Sequence, residues 1–107
     1  VIKAEIEAGV CGLSTTIEAT STDGMLVALK IESDCPQIQA MAAELDTVSA
    51  MEELFVPQKQ TRVLQLAAEQ KLHTTCIVPV GILKTVEAAS NMALPTNSCI
   101  SLSRKEA

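Results

Sequence analysis

Residues 2–8, IKAEIEA, put Ile2, Ala4, Ile6 and Ala8 on one side of an extended chain and Lys3, Glu5 and Glu7 on the other. A period of two belongs to a strand, and one apolar side against one charged side belongs to a sheet covered on a single face. The alternation returns at 15–20, with Thr15, Ile17 and Ala19 opposite Thr16, Glu18 and Thr20. It returns again at 25–33, where Val27, Leu29 and Ile31 share a side. Two turns separate the three stretches. GVCGLS at 9–14 carries two glycines around Cys11, and STDG at 21–24 ends in an Asp-Gly pair that suits the twist of a hairpin. Three short antiparallel strands with a polar outer face are therefore expected, and another part of the chain must cover the inner face.

The cover follows directly. Pro36 is a good first helical residue, and Ile38, Met41, Ala42 and Leu45 then fall on one helical stripe. SAMEELF at 49–55 predicts a second short helix, with Ser49 and Glu52 at capping-box spacing and Val56-Pro57 as its stop. A third helix is expected from about Thr61 to Lys71, with Val63, Leu66 and Ala67 inward. A fourth is expected over roughly Val80 to Asn91, with Ile82, Leu83, Val86 and Ala89 forming its apolar stripe. Beyond a loop containing Pro95, Ser98 to Ser103 reads as a closing strand with Ile100 and Leu102 on one side. The order β-β-β-α-α-α-α-β predicts an α+β fold. Its core is a small antiparallel sheet of about four strands, covered on one face by three or four helices, in a single domain over residues 1–107.

What fills that core is unusual. Hydrophobic residues make up 48% of the 107, yet Trp and Tyr are absent and Phe55 is the sole aromatic, so the interior must be Ile, Leu, Val, Met and Ala. With a single ring, recognition by stacking bases on aromatics is nearly excluded. Eight Lys and Arg against thirteen Asp and Glu give a net charge of −5, and only Arg104 and Lys105 are adjacent. That is the reverse of the basic face a nucleic-acid backbone requires. No stretch reaches the roughly 20 apolar residues of a membrane span, and the opening residues lack a signal peptide's apolar run. The expected compartment is the cytoplasm, where four cysteines are free or metal-bound rather than paired.

Cys11, Cys35, Cys76 and Cys99 form no CxxC pair and match no zinc-finger or ferredoxin spacing. Their surroundings say more. Cys11 sits in the glycine turn, where free backbone N–H groups can gather. Cys35, in SDCPQ, opens the first helix, and Cys76, in HTTCIVPVG, stands at the start of the fourth. A helix start favours thiolate, the form that binds soft metals or attacks electrophiles. Loops at the sheet ends would bring these three thiols together as metal ligands. Cys99 alternates away from Ile100 and Leu102, off the core side. A fourth ligand would be His73, three residues before Cys76, or Cys99, water, another subunit or a small molecule. Asp34 and Thr75 are expected as helix caps beside the site.

Each of these residues has a plainer reading. A cysteine is a common small core residue, and His73 suits a solvent-facing loop. Met25, Met41, Met51 and Met92 show no MxxM copper pattern and suit core filling. Enzyme chemistry finds little support and stays open. His73 is the only base available to a cysteine nucleophile, and it lacks an obvious orienting third group. GVCGLSTT has the outline of a phosphate loop but not its lysine.

Three stretches, GVCGLSTTIEA, KIESDCPQIQAMAAEL and CIVPVGILKTVEAASNMALP, together span most of the chain. They resemble a small uncharacterised family of cysteine-containing proteins from anaerobic bacteria and archaea. Cys11, Cys35 and Cys76 lie inside these stretches and Cys99 outside them. The resemblance implies no activity. It implies only a host setting rich in iron–sulfur and thiol chemistry.

Three readings follow, in order. The first is a metal site built from Cys11, Cys35 and Cys76, holding an iron–sulfur cluster ahead of zinc and serving a redox-protein partner. The second is a non-catalytic structural or partner-binding module with core cysteines, for which a free edge strand makes a homodimer the natural partner. The third is a thiol-reactive enzyme or redox sensor that uses one cysteine without metal. None of the three involves nucleic acid or membrane.

Overall fold

In a computed structural model describing residues 1–106, three strands come first: β1 (Ile2–Glu7), β2 (Ser14–Thr20) and β3 (Leu26–Ser33). They are followed by α1 (Pro36–Ala42), a short β4 (Thr47–Ser49), α2 (Ala50–Leu54), a 3-10 turn at Gln58–Gln60, α3 (Arg62–Glu69) and α4 (Val78–Ala89). The strands pair antiparallel in the order β1-β2-β3-β4. Period-two patterning fixes the register. Ala4, Ile17 and Ile31 form one inward row, and Ile2, Ala19 and Leu29 form the next. On the outer face Lys3, Glu18 and Lys30 align across three strands with alternating charge, which keeps that face in water. The β2–β3 hairpin closes on Asp23, whose Oδ1 accepts the N–H groups of Met25 and Leu26 at 2.9 and 3.0 Å.

All four helices lie over the inner face. Ile17, Ala19 and Val27 are fully buried beneath Ile38 and Met41 of α1, Val63 of α3, and Val78, Ile82 and Val86 of α4. Gly81 lets α4 approach β1, because its missing Cβ leaves room for the side chain of Ile6. Ser49 caps α2 by accepting the Glu52 N–H, and Thr61 caps α3 by accepting the Leu64 N–H. Both α3 and α4 stop on a left-handed residue, Lys71 and Asn91. The next N–H, of Leu72 or Met92, reaches back to Ala67 O or Glu87 O, the bond that closes a Schellman motif.

The α+β class and the helices over one face stand as expected from sequence. The fourth strand does not come from 98–103. It is Thr47–Ser49, on the other side of β3, with Val48 level with Val27. Three residues are too few for alternation to show, so this stretch reads only as an interruption between helices. Residues 94–106 carry no helix or strand and are exposed throughout. Among the described residues no helix is long and apolar enough to cross a membrane.

Candidate functional site

The β1–β2 turn, the β3–α1 junction and the α3–α4 loop meet at one end of the sheet and enclose a cleft of about 60 Å³. Cys11, Cys35, His73 and Cys76 all line it, together with Gln37 and an apolar wall of Ala8, Leu13, Ile38, Leu72 and Val78. Each thiol is delivered by local chain chemistry. Cys11 rides a tight turn between Gly9 and Gly12, which adopt φ of +89° and +69°, a region costly for other residues. The Gly12 N–H closes that turn on Gly9 O at 2.9 Å, leaving Cys11 exposed at its tip.

Cys35 is the residue before Pro36 and sits at the cap position of α1 with extended backbone. Its N–H donates to Ser33 Oγ at 3.1 Å, and Ser33 Oγ lies 2.7 Å from Thr15 Oγ1 in the neighbouring strand. Two hydroxyls therefore tie Cys35 to the end of the β2–β3 ladder. Its Sγ donates to Gln37 Oε1 at 3.5 Å, while Gln37 Nε2 donates to Lys71 O at 3.3 Å. Gln37 thus bridges the β3–α1 junction and the α3–α4 loop across the cleft. Cys76 is half-buried, rests against the core, and donates its N–H to His73 O at 2.9 Å in the turn that leads into α4.

Cys11, Cys35 and Cys76, with His73, line this one cleft, but they do not form a metal centre. Among the described residues no three His, Cys, Asp or Glu side chains come together closely enough to hold a metal ion. A shared ion with Zn–S bonds near 2.3 Å would require its donors to converge on one point. Here the thiols share a cleft with apolar side chains instead of closing on a centre. The iron–sulfur and zinc expectations are both overturned on this ground. His73 lines the cleft but completes no ligand set, and Cys99 lies far along the chain in the exposed C-terminal segment, 3.5 Å from Ser101 Oγ. All four cysteines are free thiols.

The two expected caps also take other roles. Asp34 caps no helix. Its N–H donates to Ser14 O at 3.1 Å, extending the β2–β3 ladder by one bond, and its carboxylate lies 3.5 Å from the Ser14 N–H. Thr75 is exposed in the turn before α4, whose start at Ile77 has no side-chain cap. Proline near the first helical position makes such a cap less necessary, since it brings no N–H of its own. Gln37 is the site residue that sequence reading missed. Its only signal was its place two residues after Cys35.

No curated protein and no solved structure matches the chain. A family model does match, over residues 2–102, so that Cys11, Cys35, Cys76 and Cys99 all fall inside it: the chain belongs to the family of unknown function DUF6951.

Proposed function

We propose that this chain is a thiol-dependent binding protein whose cleft captures one compact thiol-reactive group, such as a small disulfide, through Cys11, Cys35 or Cys76. One observation carries the reading: three of four cysteines, from three separate loops, line a single cleft. Its volume of about 60 Å³ admits a group of only a few heavy atoms, and its wall is mainly apolar. With a small disulfide RSSR the step balances without another reagent. A cleft thiol loses its proton, its sulfur attacks one sulfur of RSSR, a Cys–S–S–R bond forms, and RS⁻ leaves with the electron pair. His73, the only imidazole of the chain, lines the same cleft and is the available proton acceptor. A reducing cytoplasm, in a host like the anaerobes the sequence resembles, would keep these thiols ready between encounters.

The test is adduct mapping on the reduced chain with a small disulfide, read by intact mass and peptide mapping. The first adduct in the cleft is expected to block the other two cleft cysteines, while Cys99 reacts independently. Independent reaction of all four cysteines at similar rates would overturn the proposal.

A further inference from the structure

The C-terminal segment 98–105, SCISLSRK, carries strand alternation without belonging to a strand. Ile100 and Leu102 share one side, and Cys99, Ser101 and Ser103 share the other. Leu94, Ile100 and Leu102 are 83%, 71% and 91% exposed, far more than apolar side chains on a well-covered segment. The molecule extends 51 × 28 × 25 Å, consistent with an arm that projects from the body. The family match runs to residue 102 and so includes the arm's apolar pair.

The same chain carries a matching vacancy. β1 is paired only with β2, so its far side offers free N–H and C=O groups along six residues. The other sheet edge, β4, has only three residues. On β1 the inward residues Ile2, Ala4 and Ile6 are only half-buried, whereas Ile17 and Ala19 beside them are completely buried. The apolar row thus lacks cover on its outer flank.

We infer that the arm of one copy adds to the β1 edge of a second copy, and that the exchange is reciprocal in a two-fold dimer. A second copy is the occupant because the donor arm and the acceptor edge occur on one chain and remain apart within it. Charge selects the direction. A parallel register that sets Ile100 level with Ile2 and Leu102 level with Ala4 also sets Lys105 level with Glu7 on the outward side of both strands. It sets Arg104 level with Ile6 on the inward side, where its long stem must carry the charge past the end of the apolar row to water. The opposite direction, with Ile100 level with Ile6 and Leu102 level with Ala4, sets Lys105 level with Val1 instead, away from Glu5 and Glu7. The outward neighbours of Lys3 and Glu5 are then Ser101 and Ser103, which are small and uncharged. This pairing stands independently of the thiol cleft.

Sedimentation equilibrium of the reduced 107-residue chain tests it, with circular dichroism to confirm folding. The full chain is expected to be a dimer. The double variant Ile100→Asp/Leu102→Asp, altered only at exposed positions, should remain folded and dissociate at least about tenfold more readily. Glu7→Lys and Lys105→Glu should each weaken the dimer by roughly two- to five-fold, and their combination should restore it. A monomeric full chain overturns the proposal, and arm amides protected from hydrogen exchange in that monomer would place the arm on its own sheet. A dimer unaffected by the arm variants overturns it equally. Failure of the charge pair to restore the dimer overturns the parallel register.

Discussion

Gly81 of α4 lies directly against Ile6 of β1: a Cβ on Gly81 would overlap Ile6 Cδ1 and come within 3.2 Å of Cγ1. This contact sets how closely the fourth helix sits on the first strand. A glycine inside a helix ordinarily costs about 1 kcal/mol relative to alanine, so its presence here exchanges helix propensity for close packing.

Two opposing effects therefore act in Gly81→Ala. Helix propensity gains about 1 kcal/mol, and forcing a methyl into a packed contact costs about 1–3 kcal/mol. The expected net loss is about 1 kcal/mol. Replacing Ile6 by Val removes Cδ1, and in that background Gly81→Ala should be neutral or stabilising. A double-mutant cycle in urea measures the coupling; additive effects would show that Ile6 gives way freely.

The sheet was legible in the sequence because its two faces differ so sharply. Lys3, Glu5 and Glu7 against Ile2, Ala4 and Ile6 leave one arrangement, since a shift of one residue would bury the charges. The first three strands and four helices carry enough residues for their periods to show. Thr47–Ser49 does not, and its role as a strand depends on pairing with Leu26 to Ala28, a tertiary fact. The 98–103 segment failed in the opposite sense. Its alternation is real, but it finds no strand partner among the described residues.

The site was legible in position and not in chemistry. Cysteines beside turns and helix starts line one cleft at the sheet end, because chain direction alone brings those loops together, but they do not converge as metal ligands. Whether thiols that share a cleft also share a metal depends on separations of a few ångströms. Spacing does not encode those separations, nor that Leu13, Ile38, Leu72 and Val78 line the cleft between the thiols or that Gln37 bridges it.

Glu53 is a buried carboxylate, 5% exposed, and it serves another helix. Its two oxygens accept the N–H groups of Arg62 and Val63, each at 2.9 Å, at the start of α3. These donors have no partner within the helix, and a negative charge there also suits the helix dipole. Glu53→Ala leaves both donors unpaired and should cost about 2–4 kcal/mol. Glu53→Gln keeps one acceptor and should cost about half as much. Urea midpoints with an unchanged m-value check this; a loss below that of an ordinary surface substitution would refute the role.

The β2–β3 hairpin should be acid-sensitive at one residue. The N–H groups of Met25 and Leu26 donate to Asp23 and hold its carboxyl below the ordinary value of 3.8. A carboxyl held low in the folded chain contributes stability that is present above its unfolded value and lost as pH falls through its folded value. The Met25 and Leu26 amide resonances should therefore shift together as pH falls below about 3.8, in step with Asp23. In Asp23→Asn the hairpin amides should show no such titration. A wild-type hairpin whose amides stay fixed through that range would rule the contact out.

Gln37 should govern access to Cys35. Its carbonyl oxygen accepts the Cys35 thiol and its amide nitrogen holds Lys71 O, so one side chain both occupies the thiol and fastens the α3–α4 loop across the cleft. Gln37→Ala removes both contacts from an exposed position, at little cost to the core. Alkylation of Cys35 should become several-fold faster and that of Cys76 should rise less, since its N–H bond to His73 O is untouched. Cys99, outside the cleft, serves as the internal reference. Gln37→Glu separates the two effects: it keeps an acceptor for the thiol while losing the donor to Lys71. If loop fastening dominates, its rate will follow that of Gln37→Ala; if the thiol contact dominates, its rate will stay near wild type. Equal Cys35 rates in all three proteins would show that Gln37 controls neither.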